Sequence, residues 1–233
     1  VRHSTNKGLA TAFQSGLNAC LQLGADVIVN TDADNQYPGG RISDLVRPLV
    51  EKKADIVIGD RQVDRIPEFS LVKRILQKLG SAAVRYVSGT HIPDAPSGFR
   101  AFSREAALHI NVLSGYTYTL ETIIQAGKKN MTIAYIPIQT NPKLRDSRLI
   151  KSNLRYVLRS MTTILRLFVL YEPWKTFAYI GLPFFLFGIA LWVRYLALLL
   201  ISGAQGHIQS VVVGAVSILM ALLLWSLGIV GEL

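Results

Sequence analysis

Apolar positions along the chain change their spacing several times, and each change marks an element. Leu9, Phe13, Leu17 and Leu21 recur at steps of four behind Asn6-Lys7-Gly8, which predicts a helix stopped at Gly24. Val27-Ile28-Val29 is a short β-branched run within a strand over Asp26 to Asn30, and it ends at Asp32-Ala33-Asp34-Asn35-Gln36-Tyr37-Pro38. Pro38-Gly39 begins a helix expected to reach Lys53, with Leu45, Leu49 and Val50 inward, and Asp55 to Gly59 forms the next strand. From Pro67 to Gly89 the pattern predicts a loop and then a helix, with Leu71, Ile75, Leu79 and Val84 on its inner face and Lys73, Arg74, Lys78 and Arg85 outside. A turn rich in Pro and Gly, Pro93 to Gly98, leads to a short strand; a helix over Tyr116 to Gly127 and a strand over Met131 to Ile138 follow.

Beyond this point the chain changes character. Ile150, Leu154, Val157, Met161, Leu165 and Phe168 fall at steps of three and four, with Arg148, Lys151, Arg155, Arg159 and Arg166 opposite them. Such a helix lies in the headgroup plane of a bilayer or packs as an ordinary amphipathic helix. Phe177 to Ile201 and Val211 to Val230 are almost uninterrupted apolar runs, and each reaches the roughly 20 residues that a bilayer span requires. Paired and C-terminal, they are not a signal peptide. Arg194, the only charge in either run, lies near the end of the first, from where it snorkels to the interface.

A formal charge of +10 in 233 residues raises the question of nucleic acid. Its placement answers otherwise: Lys143 to Lys175 holds eight Lys or Arg against Asp146 and Glu172, a net +6 just ahead of the first span. This is the signature of a cytoplasmic membrane flank, so the expected partners are membrane lipids and not nucleic acid. The single cysteine, Cys20, allows no internal disulfide and fits a reducing compartment.

The candidate chemistry sits where strands end. Two carboxylates two residues apart after a buried strand can share a hard divalent cation, and Mg²⁺ usually takes one or two protein carboxylates and completes its shell with substrate phosphate. A solvated, helix-capping turn is the competing reading. An EF-hand is excluded, because Tyr37 stands where its glycine and Ser43 where its glutamate would be. The next strand also ends on charge, Asp60-Arg61, which gives a βαβ unit with a site at one rim. Lys7 at a helix start suits a phosphate or simple helix entry, Arg74 an acceptor phosphate or a solvated face, and Glu121 among Leu120, Ile123 and Ile124 is either paired or functional.

Asn6-Lys7-Gly8, Asp32-Ala33-Asp34-x-Gln36-x-Pro38, Gly59-Asp60-Arg61, Asp94-x-x-Ser97-Gly98-Phe99-Arg100 and Arg145-x-Ser147-Arg148 occur in the order found in family 2 glycosyltransferases. The chain resembles their membrane-anchored polyprenyl-phosphate branch, dolichol-phosphate mannose synthase and the bacterial undecaprenyl-phosphate glucosyltransferases among them. The resemblance implies an α/β GT-A domain, Rossmann-like, over residues 1–145, an amphipathic interface helix over 146–172 and a two-helix transmembrane anchor over 173–233. The family's N-terminal base-binding strands are missing, so a truncated domain is expected. Implied is inverting transfer of a hexose from a nucleoside-diphosphate sugar to polyprenyl phosphate at the cytoplasmic face of the cell membrane by a multi-pass protein; a homo-oligomer is compatible with this.

In that scheme Mg²⁺ or Mn²⁺ is held by Asp34 with Asp32 and Gln36. Lys7, Arg61 and Arg74 join them as donor or phosphate ligands, and Arg145 and Arg148 add positive charge at the reacting phosphates. Asp94 and Glu121 are the candidates for a general base, needed if the acceptor is a hydroxyl; a lipid phosphate is already ionised, and they then orient sugar or acceptor. Two rivals stay open: the same fold acting on a sugar or lipid hydroxyl, and a non-enzymatic basic membrane adaptor.

Overall fold

The computed structural model describes residues 1–63, 71–112, 117–141, 153–202 and 208–233. It divides into Val1–Leu167 and Phe168–Leu233.

The first unit is a mixed four-stranded sheet with helices. Its strands are β1 (Val27–Asn30), β2 (Ile56–Asp60), β3 (Arg100–Ser103) and β4 (Ile133–Pro137), in the order β1-β3-β2-β4. β3 runs antiparallel to both β1 and β2, pairing Asn30 with Arg100 and Ile58 with Arg100 at its start, while β4 runs parallel to β2. The expected βαβ unit is therefore present, but with a reversed strand between its two parallel members. One consequence matters for function: the ends of β1, β2 and β4 and the start of β3 all open on the same rim, where open α/β sheets bind ligands.

The helices of this unit are α1 (Leu9–Gln22), α2 (Ile42–Val50), α3 (Leu71–Ser88), α4 (Arg104–His109), α5 (Thr119–Lys128) and the greater part of α6 (Asn153–Tyr171). A short 3-10 turn over Gly39–Arg41 introduces α2. α2 stops three residues before the expected Lys53, because Lys52 takes a left-handed φ of 55° and the amides of Lys52 and Lys53 turn back onto Leu49 and Pro48. Tyr37, Leu45, Leu49, Val57, Phe99, Ala101 and Ile138 form one core. Phe13 joins Phe102 and Tyr118 elsewhere, its ring stacked on Tyr118 at 4.1 Å between centroids. Burying each such side chain contributes on the order of 1.5–3 kcal/mol.

α3 departs from expectation. Ile75 and Leu79, read as inward, are 58% and 61% exposed, whereas Ser81, Val84, Val87 and Ser88 are buried. The cause is its neighbour: α3 packs on α5 and on the 92–95 turn, where Ser81 Oγ accepts from Ala95 N–H and Arg85 donates to the Ile92 carbonyl. Such a partner rewards small and polar side chains.

The second unit holds the last turn of α6 with α7 (Pro173–Ser202) and α8 (Ile208–Glu232). Both long helices are apolar enough to cross a membrane, with mean hydropathy 2.3 and 2.4, and only 6% and 17% of their most apolar windows is buried. A soluble core helix would be mostly covered. They pack through small residues: a side chain on Gly181 or Gly188 would collide with Trp225 or Ile218, and Trp225 Nε1 donates to the Ala178 carbonyl at 3.4 Å.

Candidate functional site

The rim is built from four segments. The acidic turn follows β1; Arg61 follows β2; the Asp94–Phe99 turn precedes β3; Asn141 lies beyond β4.

Within the acidic turn Asp34 Oδ1 accepts from Gln36 N–H at 3.0 Å, an Asx turn, and Asn35 holds a left-handed φ of 59°. Asp34 is exposed while Asp32 and Gln36 are partly buried. Burial raises the Asp32 pKa, and the Asp34 charge raises it further, against the lowering influence of Arg61 and Arg100. The turn is tied down at two places. Tyr37 is buried, stacks on Phe99 at 5.1 Å and accepts from Gly98 N–H through its hydroxyl. Asn141 donates its backbone N–H to the Gln36 carbonyl and its side-chain amide to the Asn35 carbonyl, at 2.9 and 2.8 Å.

Arg61 and Asp94 form a buried two-pronged ion pair. Arg61 Nε lies 2.7 Å from Asp94 Oδ2 and Nη2 2.8 Å from Oδ1; the side chains are 10% and 1% exposed. The Arg61 backbone N–H and Gln77 also donate to this carboxylate. Burial alone would raise the Asp94 pKa, but the charge and hydrogen bonds of Arg61 outweigh it and leave it lowered. Asp94 thus faces Arg61 rather than open solvent.

Beneath the turn lies Arg100, wholly buried, which donates to the carbonyls of Ser97, Thr119 and Ala95 and to Thr122 Oγ1. Desolvation pulls its pKa down to about 10, so it stays a cation at neutral pH. Tyr118, driven up to about 12 chiefly by burial, accepts from Asn30.

Among the expected site residues, Asp32, Asp34 and Gln36 share one turn, and Asp32 interacts electrostatically with Arg61. Lys7 is exposed ahead of α1, beside a cavity of about 470 Å³ also lined by His3, Asn6, Ser15 and Cys20. Arg74 is partly buried on α3. Glu121 is fully buried in α5 and accepts from Gln125. Arg145 and Arg148 lie outside the described residues, as does the start of the interface helix. Among the described residues no three His, Cys, Asp or Glu side chains gather as a metal cluster, so a cation here would rest on the two aspartates and on non-acidic oxygens. Sequence reasoning missed Asn30, Tyr37, Tyr118 and Asn141, which hold the site; an asparagine closing β1 and another after β4 were the available signals.

Comparison with known proteins adds the following. Residues 1–110 match the family described as Glycosyl transferase family 2. The UDP-N-acetylglucosamine--dolichyl-phosphate N-acetylglucosaminyltransferase of Methanococcus voltae is 31% identical over 150 residues, 60% of this chain and 58% of that protein. The polyprenol monophosphomannose synthase of Mycolicibacterium smegmatis is 29% identical over 163 residues, 66% and 61% respectively. The undecaprenyl-phosphate mannosyltransferase of Micrococcus luteus is 26% identical over 145 residues, 59% of each chain. The chain spans about three fifths of the length of the curated relatives it matches.

Proposed function

We propose that this chain, whose residues 1–110 match glycosyltransferase family 2, moves a hexose from a nucleoside-diphosphate sugar to a polyprenyl phosphate at the cytoplasmic face of a membrane, with inversion. The observation that carries this reading is the joining, in one chain, of an acidic turn at a sheet rim with two apolar helices of membrane length. The relatives' names point the same way, since they speak of dolichyl, polyprenol and undecaprenyl phosphates.

The donor set suits a hard cation. Asp32 and Asp34 are close enough for one charge to raise the other's proton affinity, a repulsion that a cation relieves. Asp34, Asp32 and Gln36 would hold Mg²⁺ or Mn²⁺, and when bound the ion would neutralise charge developing on the departing diphosphate. The protein's own groups do the rest. Lys7 and Arg74 are assigned to phosphate oxygens. Arg61, fixed by Asp94, adds positive potential near Asp32. Arg145 and Arg148 are assigned to the acceptor phosphate, which is ionised at neutral pH and attacks the anomeric carbon without a base. With Asp94 held by Arg61 and Glu121 inside α5, neither is given a proton-transfer role; both keep the rim in shape.

Membranes containing the protein, supplied with labelled nucleotide sugars, separate this reading from transfer to a hydroxyl. Label should pass to added polyprenyl phosphate and not to oligosaccharide or polyprenol. Label on the oligosaccharide or the free alcohol would reject the proposal.

A further inference from the structure

Gly98 stands out because its need for a missing side chain is steric rather than conformational. Its φ lies outside the left-handed region, which among the described glycines is occupied by Gly8, Gly24 and Gly89, so alanine suits its backbone. Yet a Cβ built on Gly98 would stand 2.9 Å from Asp32 Oδ2, 3.1 Å from the Tyr118 hydroxyl and 3.4 Å from Asp32 Cγ. The Asp32 carboxylate is packed into the space that glycine leaves. Gly98 itself is held firmly: its N–H donates to the Tyr37 hydroxyl at 3.1 Å, and its carbonyl accepts from Asn30 Nδ2 at 2.8 Å and from the Tyr118 hydroxyl at 3.4 Å.

We propose that Gly98 is a positioning residue of the cation site: its bare Cα is the seat of the Asp32 carboxylate, and Asn30, Tyr37 and Tyr118 fix that seat to the sheet. The inference rests on the cation reading of Asp32 and Asp34 given above. It makes the orientation of Asp32 depend on the turn before β3, about 65 residues away along the chain, as well as on the acidic turn itself. It also predicts which group yields on substitution. A short carboxylate rotates more easily than the backbone of a buried turn moves, so an alanine at 98 turns Asp32 out of its seat and leaves the fold in place.

The test is Mn²⁺ binding, read from the electron paramagnetic resonance of free Mn²⁺, on the whole chain in detergent with Mn²⁺ alone as the probe. Gly98→Ala should weaken binding roughly 10- to 100-fold, as expected when a support of a metal ligand is lost, with a melting temperature close to that of wild type. Gly16→Ala, where a Cβ meets nothing within 4 Å, should leave binding unchanged. A double-mutant cycle isolates the route: in an Asp32→Asn background, Gly98→Ala should add little further loss. Full additivity, or wild-type affinity in Gly98→Ala, overturns the inference. If the alanine variant does not fold, Tyr37→Phe carries the test, because it deletes one hold on Gly98 without adding an atom; weakened binding supports the inference and unchanged binding overturns it. Absence of saturable Mn²⁺ binding by the wild type defeats the cation reading, and the inference with it, and that result is distinct from all the others.

Discussion

Replacing Asp94 by Asn keeps the shape of the side chain, removes its charge and turns one of its acceptors into a donor facing the Arg61 guanidinium. Arg61 is 10% exposed and holds Asp94 through bonds of 2.7 and 2.8 Å, so the substitution takes from a buried cation the carboxylate that grips it in two places. Losing one member of a buried pair costs about 3–5 kcal/mol, a large part of the roughly 5–15 kcal/mol that stabilises a domain. The direction with pH follows from the lowered Asp94 pKa. A group held below its unfolded value, about 3.9 for aspartate, contributes its full stabilisation above that value. The contribution is then lost as pH falls through the folded value. Urea unfolding of the whole chain in detergent, followed by the near-ultraviolet signal at about pH 7 and then at steps down to about pH 3, should show Asp94→Asn weaker by several kcal/mol at neutral pH, with the gap to wild type narrowing once the pH falls below the unfolded value. The paired substitution Arg61→Met with Asp94→Leu should cost less than Asp94→Asn alone, because it removes both charges of the pair together. A variant within about 1 kcal/mol of wild type at neutral pH, or a gap that widens as the pH falls toward about 3, would refute the reasoning.

Three further outcomes follow from the same geometry. Phe99→Ala, which empties a fully buried site stacked on Tyr37, should lower unfolding stability by about 3–5 kcal/mol; a loss under about 1 kcal/mol in a denaturant melt contradicts the packing described. Gly188→Leu should separate α7 from α8, since even a Cβ there would lie 2.6 Å from Ile218 and 2.7 Å from the Gly214 carbonyl; a disulfide probe joining the two helices should form in wild type and fail in the variant. Asn141→Ala removes the side-chain bond to the Asn35 carbonyl and should cost about 0.5–1.5 kcal/mol while speeding amide exchange in the acidic turn; unchanged exchange would deny Asn141 its role as an anchor.

The sequence and the structure agree where a signal is local. β1 and β2 are short runs of β-branched residues ending on polar groups, and the helical spacing of Phe13 and Leu17 survives as burial. The short strand expected after Gly98 is β3, but the burial of Arg100 at its start, satisfied by carbonyl groups, has no counterpart in a periodic pattern. Nothing in that run shows that it lies reversed between β1 and β2. α4 has six residues, too few for a period, and α3 buries Ser81, Val84, Val87 and Ser88 while Ile75 and Leu79 stay exposed, a face that its apolar spacing does not mark. The same division holds at the rim. Asp32 and Asp34 announce themselves by spacing, whereas the hold of Gly98 on Asp32 and of Asp94 on Arg61 joins residues 66 and 33 positions apart. Such contacts are made by the fold and have no local pattern.

The most direct test of the central claim uses membranes containing the protein, a labelled nucleotide sugar, polyprenyl phosphate and Mg²⁺, with the wild type set beside Asp34→Ala. Asp34 is exposed and bonds only within its own turn among the contacts described, so its loss should leave the protein folded and inserted. The account predicts labelled glycolipid from the wild type and a fall of at least about 100-fold in the variant, as expected when a main source of charge stabilisation is removed. Equal glycolipid from both proteins would contradict it.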